Sequence, residues 1–192
     1  STHAISVSTS RNLPYHPVRD FTPVSKIAVV PMLMTVHPSV PVKNAKEVIA
    51  FARARPGQIA FATAGVGTTG HLAGELFKSM ARIDILHVAY RGSPQALIET
   101  VAGQVSMAIS PMLTSLPHAR AGKLRPLGVT TPRASPSAPE VPPLAVAAGL
   151  PGYEATLWYG LFAPAGSPRE NVARLSAEVV AILGLNDVVE SL

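Results

Sequence analysis

Residues 58–80, QIAFATAGVGTTGHLAGELFKSM, decide the fold of this 192-residue chain. The apolar segment at residues 58–62 predicts a short strand, and a loop rich in glycine and threonine follows it at residues 64–70. The next segment predicts a helix whose apolar face consists of Leu72, Ala73, Leu76, Phe77 and Met80. Strand and helix patterns alternate in the same way on either side of this unit. We therefore expect an α/β fold with a largely parallel sheet.

The remaining elements are predicted from apolar patterns and helix-cap signals. Asn44 with Glu47 has the spacing of a capping box, and Ser93 before Pro94 has the pattern of an N-cap followed by a helix-starting proline. Pro31 interrupts the first apolar segment, which predicts an edge position or a bend there. The other predicted strands lie at residues 27–36, 83–88, 105–109, 127–130 and 157–162. Further helices are predicted at residues 115–121, 144–148 and 168–183.

Composition limits the classes of function. Charged residues make up 14% of the chain, and its 16 lysines and arginines are scattered, so we expect no nucleic-acid partner. The absence of cysteine excludes disulfides, thiolate metal sites and a cysteine nucleophile. No apolar run reaches the length of a membrane span. The six histidines lack metal-ligand spacing, and no nucleophile elbow or carboxylate pair is evident, so we expect no metal, no cofactor and no enzymatic activity.

The loop Gly65-Val66-Gly67-Thr68-Thr69-Gly70 is the first candidate site, because it matches G-x-G-x-x-G between a strand and a helix. Glycines let backbone N–H groups approach a ligand, and a helix N-terminus favours negative charge. The alternative is a glycine-rich turn in which Thr68 or Thr69 only caps the helix. A dinucleotide site would need an acid about 20 residues further on. Arg91 stands there instead, which leaves an NADP-binding oxidoreductase as an alternative function.

The second candidate site is Tyr90-Arg91-Gly92-Ser93-Pro94, which again joins a strand to a helix. The guanidinium of Arg91 fits a carboxylate or a phosphate, unless it is only a surface arginine beside a capped helix. Successive strand-to-helix loops meet at one edge of a parallel sheet, so the two sites together match a dicarboxylate. His71 could contact that ligand or hydrogen-bond to the loop, and Trp158 could be a ligand platform or a core residue.

Several segments, in collinear order along nearly the whole chain, resemble one known family. The chain resembles the Bug, or TctC-type, extracytoplasmic solute-binding receptors of tripartite tricarboxylate transporters. The resemblance rests on residues 13–24, 37–43, 64–67 with 71–77, 87–93, 121–125 and 158–166.

The resemblance implies a periplasmic-binding-protein fold of type II, in which two α/β domains close on a small carboxylate without chemistry. Residues 36–156 would form the complete second domain, and residues 1–35 and 157–192 would be parts of the first. The implied location is the periplasm, and the implied partners are an organic acid and membrane transporter subunits. The ligand-binding residues expected from the loops and the resemblance are Ala64, Gly65, Val66, Gly67, Thr68, Thr69, His71, Tyr90, Arg91, Gly92, Ser93, Ser110 and Trp158.

Departures from the family pattern suggest a chain truncated at both ends. A first domain without its first strand would leave an open sheet edge, which favours pairing between copies of the chain. It would also lack half of the binding cleft, so a binding-incompetent remnant is a further alternative. Ser110 stands where the family often has an acid, which predicts a preference for plain carboxylates over ligands that carry an ammonium group. Ala89 replaces a usual proline, and Val146 and Ala147 stand where an acid is expected.

Overall fold

A computed structural model of the chain describes residues 1–10 and 12–191, and these form two compact units. Unit 1 comprises Ser1–Val29 and Trp158–Leu192, and unit 2 comprises Val30–Leu157. The chain passes between the units twice, within strand β1 (Phe21–Val36) and within strand β6 (Thr156–Pro164). The division into domains at residues 36 and 156 stays a prediction, because contact alone does not show which segment folds independently.

Unit 2 alternates helices and strands, as the sequence predicts. Its elements are α2 (Ala45–Ala54), β2 (Ala60–Thr63), α3 (Thr69–Ala81), β3 (Leu86–Ala89), α4 (Ser93–Val101), β4 (Met107–Pro111), α5 (Met112–Arg120), β5 (Arg125–Val129) and α6 (Leu144–Ala147). Unit 1 adds α7 (Arg169–Leu183), which the sequence predicts, and α1 (Thr2–Thr9) and α8 (Asn186–Ser191), which it does not. No helix in the described part of the chain combines the length and the hydropathy needed to cross a membrane.

The sheet has the strand order β3-β2-β4-β1-β5, with β6 also paired to β1. Strand β2 is parallel to β3 and to β4, whereas β1 is antiparallel to both β4 and β5. The expectation of a largely parallel sheet is therefore wrong for β1, because an apolar pattern carries no information about strand direction. Of the two alternatives expected at Pro31, the edge position is wrong, because β1 lies between β4 and β5, and the bend stays a prediction. This proline precedes Met32 and Leu33, where the pairings of β1 with β4 and β5 begin, so its missing N–H falls outside both pairings.

Unit 2 buries side chains on both faces of its sheet. On one face Phe61, Ile109 and Phe77 pack together with α2 and α3, and on the other face Ala62 and Ala108 pack against Leu97 of α4. The alternation of Phe61 and Ala62 follows from the period of two residues in a strand. Burial of each large apolar side chain contributes roughly 1.5–3 kcal/mol. This packing fixes the positions of the helix N-termini relative to the strand ends.

Two helix starts test the predicted caps. Asn44 accepts a hydrogen bond from the Glu47 N–H at 3.0 Å, as the capping box predicts, and the Glu47 carboxylate accepts one from the N–H of Lys43 at 2.6 Å. The N-cap of α4 is Gly92, with φ 120°, and Ser93 is the first helical residue. The cap predicted at Ser93 is therefore shifted by one residue, since α4 starts directly at the turn that Gly92 makes possible.

Candidate functional site

Two loops lie side by side at the carboxyl ends of β2 and β3. We call residues 64–68 the glycine loop and residues 90–92 the arginine loop. The parallel register pairs Thr63 with Ala89, so both strands end at the same level. The Tyr90 N–H donates to the Thr63 carbonyl at 3.0 Å, and the Gly92 N–H donates to the Ala64 carbonyl at 3.2 Å. The structure thus brings together the two loops that the sequence singles out.

The glycine loop is closed by its own hydrogen bonds. The Thr68 hydroxyl donates to the Gly65 carbonyl at 2.7 Å and accepts the His71 N–H at 3.4 Å, which makes Thr68 the N-cap of α3. A Cβ on Gly65 would lie 3.3 Å from the Tyr90 carbonyl oxygen, and the φ of 136° at Gly65 is one that other residues rarely adopt. Thr69 is buried as the first residue of α3, and Val66 is exposed at the loop tip. Thr68 therefore performs the capping role that the sequence left open.

A pair of histidines in ring-to-ring contact lies against the glycine loop. The rings of His71 and His87 are 4.1 Å apart, and the His71 Nδ1 accepts the Gly67 N–H at 3.2 Å. The His87 Nε2 lies 2.7 Å from the Thr63 hydroxyl. Burial, together with the nearby positive charge that His71 can carry, lowers the pKa of His87. The structure thus places His71 on the loop as a hydrogen-bonding residue.

Sequence reasoning did not single out Thr63 or His87. Each stands at or near the end of a predicted strand, but their contact depends on the pairing of β2 with β3. The observed register places His87 opposite Phe61, two residues before Thr63. Because side chains at alternate positions share a face, the contact could have been found once that register was known.

The arginine loop adds a cationic group to the same edge. Arg91 is exposed, and its guanidinium has no ion-pair partner among residues 1–10 and 12–191. Burial, with a smaller effect of the Glu99 charge, raises the pKa of the half-buried Tyr90. Ser93 begins α4, so the N–H groups of the first turn of that helix follow the loop directly. A planar guanidinium beside a helix N-terminus is suited to a carboxylate.

Ser110 lies at the end of β4, the other parallel neighbour of β2. Its side chain is fully buried, and its hydroxyl oxygen makes no hydrogen bond within the described part of the chain. A Cβ added to Gly70, in the first turn of α3, would lie 2.6 Å from the Ile109 carbonyl, so this helix starts directly against the strand end that carries Ser110. An unpartnered buried hydroxyl is costly, which makes Ser110 a candidate for contact with a ligand.

Trp158 lies in unit 1, where it begins the unit's part of β6. Its half-buried ring stands 6.3 Å from the ring of Phe162. The sequence allows two roles for Trp158, a ligand platform or a core residue. This contact is of the kind that a core residue makes.

The electrostatics of the two loops favour an anion. The sequence has no Asp or Glu between residues 63 and 74 or between residues 85 and 98. The N-termini of α3 and α4, both at this edge, each carry the positive end of a helix dipole. No group of three potential metal-ligating side chains occurs among the residues that the structure describes.

Comparisons with known proteins identify the family and the fold. Residues 2–192 match a family model described as "tripartite tricarboxylate transporter family receptor". Three solved structures superpose on nearly the whole chain. An R. palustris protein with adipate has a TM-score of 0.89 and 40% identity, over 95% of this chain and 60% of that one. MatC from Rhodopseudomonas palustris with bound malate has a TM-score of 0.87 and 31% identity (97% and 63% of the two chains), and the periplasmic binding protein BugD has a TM-score of 0.90 and 25% identity (98% and 63%). These matches confirm the family resemblance and the periplasmic-binding-protein fold class, and they give no support to the NADP-binding alternative.

The chain covers only part of the length of the proteins it matches. A relative from Pseudomonas sp. strain P51, named as a UPF0065 protein in the tcbD-tcbE intergenic region, is 42% identical over 180 residues. That alignment covers 94% of this chain and 54% of the relative. The chain therefore spans about half the length of this curated relative.

Proposed function

Because this chain belongs to the receptor family of tripartite tricarboxylate transporters, we propose that it binds a small organic acid, a di- or tricarboxylate, for such a transporter. Binding would use the glycine loop and the arginine loop of unit 2. The proposal extends from the family to this chain, which matches about half the length of its first curated relative.

The observation that supports the proposal is the junction of the two loops. Two backbone hydrogen bonds, at 3.0 and 3.2 Å, join the loops directly. Two helix N-termini and Arg91 then supply positive potential, and the two loops themselves contain no carboxylate. Such a preorganised set of donors binds an anion without paying to order the loops first.

The chemistry of the donors sets the ligand class. A hydrogen bond to a charged group contributes about 1.5–3 kcal/mol, so a few of them reach the roughly −8 kcal/mol of a micromolar complex after ordering costs. Relatives with adipate and with malate show that carboxylates of this size are ligands in this family. The buried hydroxyl of Ser110 can donate one further hydrogen bond, and it adds no charge that would select an ammonium group.

The same proposal includes location and partners. A receptor of this kind works outside the cytoplasm, delivers its ligand to membrane transporter subunits and performs no chemistry. The periplasmic binding protein BugD, 25% identical over 98% of this chain, supports the periplasm as the location. Pairing between copies of the chain remains part of the proposal, to be measured as the molecular mass in solution.

Titration calorimetry of the 192-residue chain with adipate and with malate tests the proposed function. We expect saturable binding of at least one acid near the micromolar range, and no binding of the neutral dimethyl ester of adipate. The substitution Arg91→Ala should weaken binding about tenfold or more, because it removes a charge-assisted contact. Arg133→Ala, at another exposed arginine of unit 2, is the matched control and should bind as the native chain does. Absence of binding by both acids would contradict the proposal.

A further inference from the structure

His71 is tied to the glycine loop twice. Its backbone N–H donates to the Thr68 hydroxyl at 3.4 Å, and its side-chain Nδ1 accepts the N–H of Gly67 at 3.2 Å. The first bond is an ordinary helix cap. The second is unusual, because a histidine nitrogen can accept a hydrogen bond only while it carries no proton. The conformation of the loop around Gly67 therefore depends on the neutral form of His71.

The second histidine holds the ring of His71 in place. The centre of the His87 ring lies 4.1 Å from that of the His71 ring, with the planes tilted by 33°, and the His87 Nε2 lies 2.7 Å from the Thr63 hydroxyl. That hydroxyl in turn exchanges hydrogen bonds with the backbone of Gly65, accepting from its N–H and donating to its carbonyl, each at 3.3 Å. Both ends of the glycine loop are thus connected to the histidine pair.

The charged groups that act on the pair lie on α3. They are Glu75 and Lys78, whose side chains pair at 3.0 Å. The negative charge of Glu75 favours a proton on His87, and the positive charges of His71 and Lys78 oppose it, so the two rings disfavour each other's protonation.

We propose that His71 is a positioning residue, which holds the glycine loop as a neutral hydrogen-bond acceptor and releases the loop when its ring is protonated. On protonation, the Nδ1–H of His71 would face the N–H of Gly67. Two donors would then meet with no acceptor between them, and the glycine loop would leave the conformation described above. The consequence for ligand affinity rests on the proposed function, whereas the coupling between His71 and the loop does not. Carboxylate affinity should therefore fall when acidification protonates this ring.

The first test needs no ligand and uses NMR of the uniformly ¹⁵N-labelled 192-residue chain. At neutral pH the ring of His71 should show a bare Nδ1 and a proton on Nε2. The amide signal of Gly67 should move with the same midpoint as the His71 ring. A proton on Nδ1 at neutral pH, or a Gly67 signal that ignores the titration of His71, would overturn the inference without requiring any variant to fold.

Two substitutions separate positioning from simple packing. His71→Asn puts an amide oxygen close to where Nδ1 stands, so it keeps an acceptor for Gly67 but cannot titrate. We expect its Gly67 signal to stay constant across the pH range. The control His118→Asn, on α5, should leave the titration of Gly67 as in the native chain. A Gly67 signal that still titrates in His71→Asn would assign the effect to another group and overturn the inference.

The last measurement compares adipate affinity at about pH 7.5 and about pH 5.5. On acidification, the affinity of the native chain should fall about threefold to tenfold more than that of His71→Asn. A factor of this size corresponds to the loss of one hydrogen bond. Protonation of adipate itself affects both proteins equally and cancels in that ratio. An equal loss in both proteins, or a gain by the native chain in acid, would overturn the inference for ligand affinity. Absence of adipate and malate binding at any pH would instead contradict the proposed function, and the NMR titration would then decide the coupling.

Discussion

The two units use similar apolar patterns with different results. In unit 2, α2 buries Ala45, Val48, Ile49 and Ala52, and three clusters of buried side chains surround the sheet. In unit 1, α7 buries no residue, and Val24 is the one buried hydrophobic side chain among the described residues of that unit. A cavity of ≈ 420 Å³ opens between β6 and α7. An amphipathic pattern thus predicts a helix, but it does not predict whether the apolar face of that helix is buried. Because most of the buried apolar side chains lie in unit 2, we assign most of the stability to that unit.

The largest expected difference in stability comes from truncating one apolar side chain on a helix of each unit. Phe77 of α3 is fully buried, with its ring 6.1 Å from that of Tyr153, whereas Leu175 of α7 is 47% exposed. Phe77→Ala should lower the free energy of unfolding by about 3–5 kcal/mol, because a buried cavity remains. Leu175→Ala should change it by less than about 0.5–1 kcal/mol. Denaturant unfolding followed by circular dichroism measures both, and equal losses would break the comparison.

A smaller difference is expected from adding a methyl group. A Cβ on Gly74 of α3 would overlap the buried ring of Phe61, whereas a Cβ on Gly184, at the end of α7, would meet only carbonyl oxygens at 3.4 Å or more. Gly74→Ala should destabilise the protein by about 1–3 kcal/mol through overpacking. Gly184→Ala should stay within about 0.5 kcal/mol of the native chain. Melting temperatures of the two variants measure both effects. An unchanged melting temperature for Gly74→Ala would contradict the tight packing of α3 on Phe61.

The smallest effect concerns pH. Burial lowers the pKa of His87 in the folded chain, so the unfolded chain binds the proton more readily. Stability should therefore fall as the pH drops below the ordinary histidine value of about 6.5 and continue to fall until the folded protein is protonated as well. His87→Gln should flatten this decline, and His118→Gln should not. Free energies of unfolding measured at several pH values would contradict the account if the native chain gained stability in acid.

The sequence was sufficient to place the two loops together, because each follows a strand, precedes a helix and belongs to successive units of one sheet. It could not show that β1 runs against β4, since apolar residues do not record strand direction. It offered a hydrogen bond between His71 and the loop as one of two alternatives, but it could not identify Gly67 as the donor, which depends on rotamers. It also could not show the contact of Thr63 with His87, which depends on strand register. Ser110 entered through family resemblance, and only the structure shows that its hydroxyl is buried with no hydrogen-bond partner among the described residues.

The most direct test of the central claim is a map of amide signals in ¹H–¹⁵N spectra of the chain as adipate is added. The account predicts that the largest changes fall on Gly65, Gly67 and Gly92 and on the first turns of α3 and α4. Signals from α2 and β5 should stay almost constant. Saturation with changes centred elsewhere, or no change at millimolar adipate, would contradict the claim that the two loops of unit 2 bind a carboxylate.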